Sequence, residues 1–159
     1  MTLYIVFTFI FSYMLFSISK EDLKTMLISE NKLRILAVLG FLYLACLGLS
    51  DERINSIDLI IDNFSGMIAI FLIMYSISFI SYQLLRINSL GMGDIKLSSI
   101  SSIWLGVELT FISLLISFLL SAVYSLHGKI TKKFKTFEQY PFAPFLSIGI
   151  FCSWILDKI

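Results

Sequence analysis

The sequence is poor in charge. Aspartate, glutamate, lysine and arginine together make up 14% of its 159 residues, where a soluble domain carries about 25%. Histidine is represented once, by His127, placed in a lysine-rich stretch and read as an ordinary solvated loop residue. The two cysteines, Cys46 and Cys152, lie inside apolar runs without a Cys-x-x-Cys pair. A disulfide framework and a paired metal site are therefore excluded, and no cofactor or metal is expected. A formal net charge of +1, with no basic stripe interleaved with aromatics, argues against nucleic acid as a partner. What remains is apolar: 58% of the chain, against about 45–50% in soluble domains. The chain reads as an all-α polytopic membrane protein whose main partner is the lipid bilayer. Nothing in it fixes an oligomeric state.

Six apolar runs follow one another. The first, Leu3 to Ile18, resembles a signal peptide only in length. Nothing positive precedes Lys20, and no small-x-small cleavage site follows. It is read as a retained span whose helix continues about one turn further, through Ser19 to Asp22. The second runs from Leu33 to Leu49 and the third from near Ile57 to about Leu85, separated by the acidic stretch from Asp51 to Asn55. Asp58 and Asp62, four residues apart, share a helix face. They lie close to water at a helix N-terminus, where the dipole favours carboxylates. The fourth run, Leu97 to Val107, is broken only by serines, which can bond back to the preceding turn. A tight hairpin is expected at Gly106-Val107-Glu108. The fifth run, Leu109 to Leu126, and the sixth, Phe142 to Leu156, flank a loop carrying Lys129, Lys132, Lys133 and Lys135.

Lysine and arginine counts orient the chain. With the N-terminus outside, the inner segments hold Lys20, Lys24, Lys32, Arg34, Arg86, Lys96, Lys129, Lys132, Lys133 and Lys135, and the outer ones only Arg53 and Lys158. Ten against two is a strong inward bias. Asp22 then ends the first span as it leaves the membrane, and Asp94 begins the fourth as it returns from the same, cytoplasmic, side. Two carboxylates far apart in sequence come to one depth, while Asp51, Asp58, Asp62 and Glu108 belong to the opposite face.

Asp94 lies in Gly91-Met92-Gly93-Asp94-Ile95-Lys96-Leu97. An aspartate at a helix centre costs about 2.5–3.5 kcal/mol to insert, so a carboxylate at the mouth of a span is a functional candidate by default. The two glycines just before it, Gly91 and Gly93, remove the Cβ obstacle and let another backbone approach. Two carboxylates brought close cannot easily both ionise, so the pair shares a proton. The ionised member can then take a proton from water while the other polarises a carbonyl. No nucleophile–base pair competes with them. Lys96, two residues on, points about 200° away from Asp94 on a helix, a position suited to substrate handling or membrane placement rather than to chemistry.

These stretches resemble the bacterial type IV prepilin peptidases, membrane aspartyl proteases with a Gly-x-Gly-Asp signature. Asp22-Leu23-Lys24-Thr25-Met26-Leu27-Ile28-Ser29-Glu30 is similar to the family's first aspartate motif, and Gly91 to Leu97 to its second. The stretch from Pro141 to Gly149 resembles the proline- and phenylalanine-rich start of its late helix. The resemblance covers about residues 19 to 157, so residues 1–159 are read as one transmembrane peptidase domain. It departs at Ser29, where the family usually has proline, and at Ala143, where it often has glycine. It implies Asp22 and Asp94 as the catalytic pair, with Gly91, Gly93, Lys96 and Glu30 as candidates for positioning the substrate. The implied reaction removes the short basic leader of type IV prepilins or pseudopilins after a glycine, at the cytoplasmic face of the plasma membrane. Pilus, type II secretion and competence precursors all belong to this substrate class. Larger members carry an N-terminal cysteine-containing segment associated with methylation. No cysteine precedes Asp22, so that second activity is not expected.

Two other readings are weighed. Another Gly-x-Gly-Asp intramembrane protease would carry its first aspartate within an apolar helix, whereas Asp22 sits in Lys20-Glu21-Asp22-Leu23-Lys24. A small ion- or proton-coupled transporter using Asp22 and Asp94 would favour acids near the midplane on broken helices.

Overall fold

The computed structural model describes residues 2–50, 56–86, 90–131 and 140–156. These form five helices: α1 (Thr2–Thr25), α2 (Glu30–Ser50), α3 (Ser56–Leu85), α4 (Met92–Ile130) and α5 (Ala143–Leu156). No strand occurs among the described residues. The first four helices are each long and apolar enough to cross a bilayer. With its 14 residues, α5 rises only about 21 Å, short of a hydrocarbon core about 30 Å thick.

Five helices stand where six spans were expected, because the fourth and fifth apolar runs are joined in α4. Straight, its 39 residues would extend about 58 Å, far more than a bilayer can accommodate. The helix is instead sharply bent at Gly106, whose φ of 75° and ψ of 172° leave the helical region. A side chain there would be strained, and glycine is the residue that takes a positive φ freely. The course of α4 along α5 reverses at this point, since the first turn of α4 shares a cavity with Asp22, which meets the start of α5 at Ala143. Towards Gly106, Trp104 packs on Trp154 at the far end of α5. Beyond it, Ser117 faces Gly149, Phe118 stacks on Phe142 at 5.3 Å, and the hydroxyls of Ser121 and Tyr140 are hydrogen-bonded at 2.8 Å.

Four boundaries also shift. The first helix runs on to Thr25, and α2 begins at Glu30 rather than Leu33. The fourth helix begins at Met92, ahead of the apolar run expected from Leu97, so Asp94 and Lys96 occupy the first turns of α4. At its other end α4 continues to Ile130, making His127 and Lys129 helical. The acidic stretch from Asp51 to Asn55, with its Arg53, lies outside the described residues, as do Lys132, Lys133, Lys135 and Lys158.

The bundle turns many large apolar side chains outward and buries many small polar ones. Phe9, Tyr13, Phe16 and Leu84 are exposed, while Ser98, Ser99, Ser101, Ser102, Ser113 and Ser117 are buried. Most of these serines satisfy themselves within their own helix, as Ser99 does on the Ile95 carbonyl and Ser117 on that of Ser113, each at 2.6 Å. Small side chains let helix backbones approach, and close packing holds helices together where lipid is as apolar as leucine.

An aromatic cluster joins four of the helices. Trp104 of α4 stacks on Phe11 of α1 at 4.3 Å and on Tyr43 of α2 at 5.6 Å, and meets Trp154 of α5 edge-on at 5.9 Å. Both indole N–H groups are answered: Trp104 donates to the Leu36 carbonyl at 3.1 Å and Trp154 to Thr8 Oγ1 at 3.0 Å. Aromatic pairs of this kind contribute about 0.5–1.5 kcal/mol each beyond the area they bury.

The α4–α5 contact is equally close. A Cβ added at Gly149 would run into the Ser113 carbonyl and the Ser117 side chain. Gly149→Ala should therefore cost about 1–3 kcal/mol through overpacking, read as a lower thermal midpoint of the purified protein in detergent. An unchanged midpoint would show that the two helices have room to spare.

Candidate active site

The last turn of α1 carries Asp22, whose side chain is buried. The helix ends just after it, at Thr25, and Met26 takes a left-handed conformation with φ 53°. Its N–H still donates to the Asp22 carbonyl, at 2.8 Å, so the turn that holds the aspartate is closed. The carboxylate faces the start of α5, and Ala143 N–H donates to its Oδ2 at 3.0 Å. The first N–H groups of a helix have no acceptor of their own, and the N-terminus favours a negative charge. Asp22 thus caps α5 from another helix, 121 residues away in sequence.

Asp94 is the third residue of α4. Its carboxylate accepts from the backbone N–H of Gly91, the residue that opens the helix. This is the reciprocal half of a capping box, in which a side chain at the third position reaches back to the cap. The other oxygen, Oδ1, is buried with no hydrogen-bond donor among the described residues. A buried acceptor needs a donor, and the cavity it faces is wide enough for one from outside the protein.

The two aspartates line one cavity of about 250 Å³, together with Gly91, Gly93, Glu30 and Lys96. They are near enough for the charge of Asp22 to act on Asp94. At about 30 Å³ per water, the cavity has room for a peptide unit with water beside it. Every site residue singled out in the sequence therefore borders one space. Asp58, Asp62 and Glu108 do not line it. Among the described residues, no three histidine, cysteine, aspartate or glutamate side chains gather as metal ligands would.

The connection between α1 and α2 forms one wall and is pinned at several points. Glu21 pairs with Lys32 at 3.2 Å and accepts from Ser29 N–H at 3.4 Å, while Lys32 also donates to the Ser17 carbonyl at 3.0 Å. Ile28 then lies directly against Gly93, where a Cβ would come within 3.0 Å of the Ile28 Cβ. Across the mouth, Lys96 of α4 forms an ion pair with Glu30 of α2. Lys96 thus turns away from Asp94 and yet borders its cavity. Three features here lay beyond the sequence reading. They are the Ala143 N–H, the Glu21–Lys32 pair and the apolar wall from Met26 to Ile28. Of these only the first had a signal, since Pro141 and Pro144 flag a chain about to enter a helix.

The model of the type IV leader peptidase family matches residues 9–126. The chain belongs to the type IV leader peptidase family. It is accordingly a membrane peptidase, and prepilin-type proteins are its class of substrate. The matched residues include Asp22, Glu30, Gly91, Gly93, Asp94 and Lys96, while the Ala143 that binds Asp22 lies beyond them. No curated protein and no solved structure matches the chain.

Close approach at Gly93 gives a direct test of the site's geometry. In Gly93→Val the added carbons would push Ile28 and the first turn of α4 apart, displacing Asp94. Misplacement of about 1 Å can cost on the order of a hundredfold in rate, so cleavage of a family substrate should fall by that order while the protein inserts normally. Wild-type cleavage by this variant would show that the Ile28–Gly93 contact does not position the aspartate.

Proposed function

We propose that Asp22 and Asp94 are the catalytic pair of an aspartic endopeptidase. The observation that carries this reading is that both carboxylates border one cavity, each held by a backbone N–H from a helix start. Two such groups hold one proton between them. The ionised carboxylate takes a proton from a water as that water's oxygen bonds to the scissile carbonyl carbon. The protonated carboxyl donates to the carbonyl oxygen, giving a neutral tetrahedral adduct. Collapse of the adduct breaks the C–N bond and sends a proton to the leaving amine, so the pair again holds one proton. The pair titrates as a unit and its members exchange roles through the cycle.

The substrate in this reading is a type IV prepilin or pseudopilin, cut after a glycine that ends a short basic leader. Six crossings, with the N-terminus outside and the pair at the cytoplasmic face of the bacterial plasma membrane, fit the inward bias of lysine and arginine. The reversal of α4 at Gly106 supports the same count. Gly91, Gly93, Glu30 and Lys96 would position the substrate around the pair.

Asp22→Asn and Asp94→Asn should each abolish removal of the leader from a co-expressed prepilin, measured by mass, while leaving the protein inserted at normal abundance. Asparagine is nearly isosteric but cannot exchange the proton, so general acid–base help of roughly 10²–10⁴-fold goes. The double variant should be scarcely worse than either single one. Asp58→Asn, Asp62→Asn and Glu108→Gln should cleave at near-normal rates. Activity retained in either of the first two variants would sink the aspartic mechanism.

Topology is tested separately. A reporter fused after Leu126 should lie in the cytoplasm and one after Ser50 outside. A cytoplasmic signal from the Ser50 fusion would overturn the orientation.

A further inference from the structure

A second space adjoins the aspartate cavity. It is a cleft of about 490 Å³ between α2, α3 and α4, walled by Leu33, Ala37, Met67, Ile68, Phe71 and Ile100. Its size falls within the range of about 300–1,000 Å³ typical of ligand sites, and its walls are almost wholly apolar. Glu30, Leu33 and Lys96 line both spaces. The Glu30–Lys96 ion pair therefore stands in the wall they share. The side chains of that pair are 71% and 39% exposed, and ion pairs so exposed contribute little to stability. The divider is easily parted. Ile68, on the cleft's α3 wall, is 44% exposed, so the cleft reaches the outward, lipid-facing surface of the bundle.

We infer that this cleft seats the apolar residues following the scissile bond of the substrate, and that the chain passes from cleft to aspartates across the Glu30–Lys96 pair. The inference rests on the peptidase reading above and adds where the substrate's membrane-borne part binds. In the family reading, a precursor of that class carries, after its basic leader, an apolar segment that lies in the lipid. The leader's end must reach Asp22 and Asp94, and the apolar part must remain among apolar groups beside them. The cleft is apolar and adjoins the aspartate cavity, sharing Glu30, Leu33 and Lys96 with it. It also opens sideways, the direction from which a membrane-borne segment arrives.

Two measurements on the full chain in detergent or vesicles test the assignment. Ala37→Trp fills the cleft from α2. With a precursor carrying leader and apolar segment, kcat/KM should fall at least tenfold, mainly through KM. With a synthetic peptide ending two residues past the scissile bond, it should change less than twofold. Equal losses on both substrates, or none on either, overturn the assignment. Independently, a benzophenone amino acid at position 37 or 71, in the Asp94→Asn background, should cross-link to the apolar residues after the scissile bond. The same group at Val38, 59% exposed and outside the cleft, should not. Cross-links to lipid alone from positions 37 and 71 overturn the assignment even if the tryptophan variant fails to fold. Failure of the parent chain to remove any leader would overturn the peptidase reading and this one with it. Normal cleavage by the parent with failure of both cleft measurements would remove only this one.

Discussion

The hydrogen bond from Ala143 N–H to Asp22 solves two problems of the same kind at once. A carboxylate near hydrocarbon is costly without a donor, and the first N–H groups of a helix are costly without an acceptor. Here the end of α1 and the start of α5 each supply what the other lacks, at 3.0 Å. Pro144, in the first turn of α5, brings no N–H needing an acceptor. The pairing makes the end of α1 and the start of α5 depend on each other. Because α5 in turn packs on α4 through Trp154 and through Gly149, the setting of Asp94 depends on it too.

The bundle divides rigidity unevenly. Trp104 and Trp154, with Phe11 and Tyr43, form a cluster whose stacking and indole hydrogen bonds fix α1, α2, α4 and α5 relative to one another. At the aspartate end the hold is polar and local. The Glu21–Lys32 pair and the Ser29 N–H pin the α1–α2 connection, Gly91 holds Asp94, and the Glu30–Lys96 pair closes the mouth. A peptidase acting on a long substrate needs this combination. Under the proposed mechanism, the helices that aim the carboxylates keep their places while the wall beside them gives way.

Much of this was legible in the residues. The two aspartates stood at the edges of apolar runs whose charge balance put them on one side, and the glycines beside Asp94 foretold the close approach that Ile28 makes. Gly106 announced a break in α4, although the apolar runs on either side read as separate helices. What stayed hidden depends on pairing between distant segments. No periodicity tells that Ala143 meets Asp22, or that Lys96 reaches Glu30 across 66 residues. The end of α4 was set short because lysines and a histidine look like a loop, although a helix that outruns the hydrocarbon can carry them in water. The aromatic cluster was invisible for a similar reason. In an apolar chain Trp104 and Trp154 read as two more hydrophobic residues, and only the helix crossing makes them a joint.

The location of the pair follows from the solvent. Within hydrocarbon, a helix interior spends every N–H on its own carbonyls. Donors for a carboxylate are therefore free only where helices begin. Asp22 takes one from the start of α5, and Asp94 takes one from the residue that opens α4. Carrying either aspartate a few turns deeper would leave it facing helix walls with no backbone donor to offer. Water and a hydrophilic leader are also available only near the boundary. Backbone donors and water thus meet at one depth, and under the mechanism proposed above the substrate's polar end is brought to that same depth, which no other level of a helical bundle would supply.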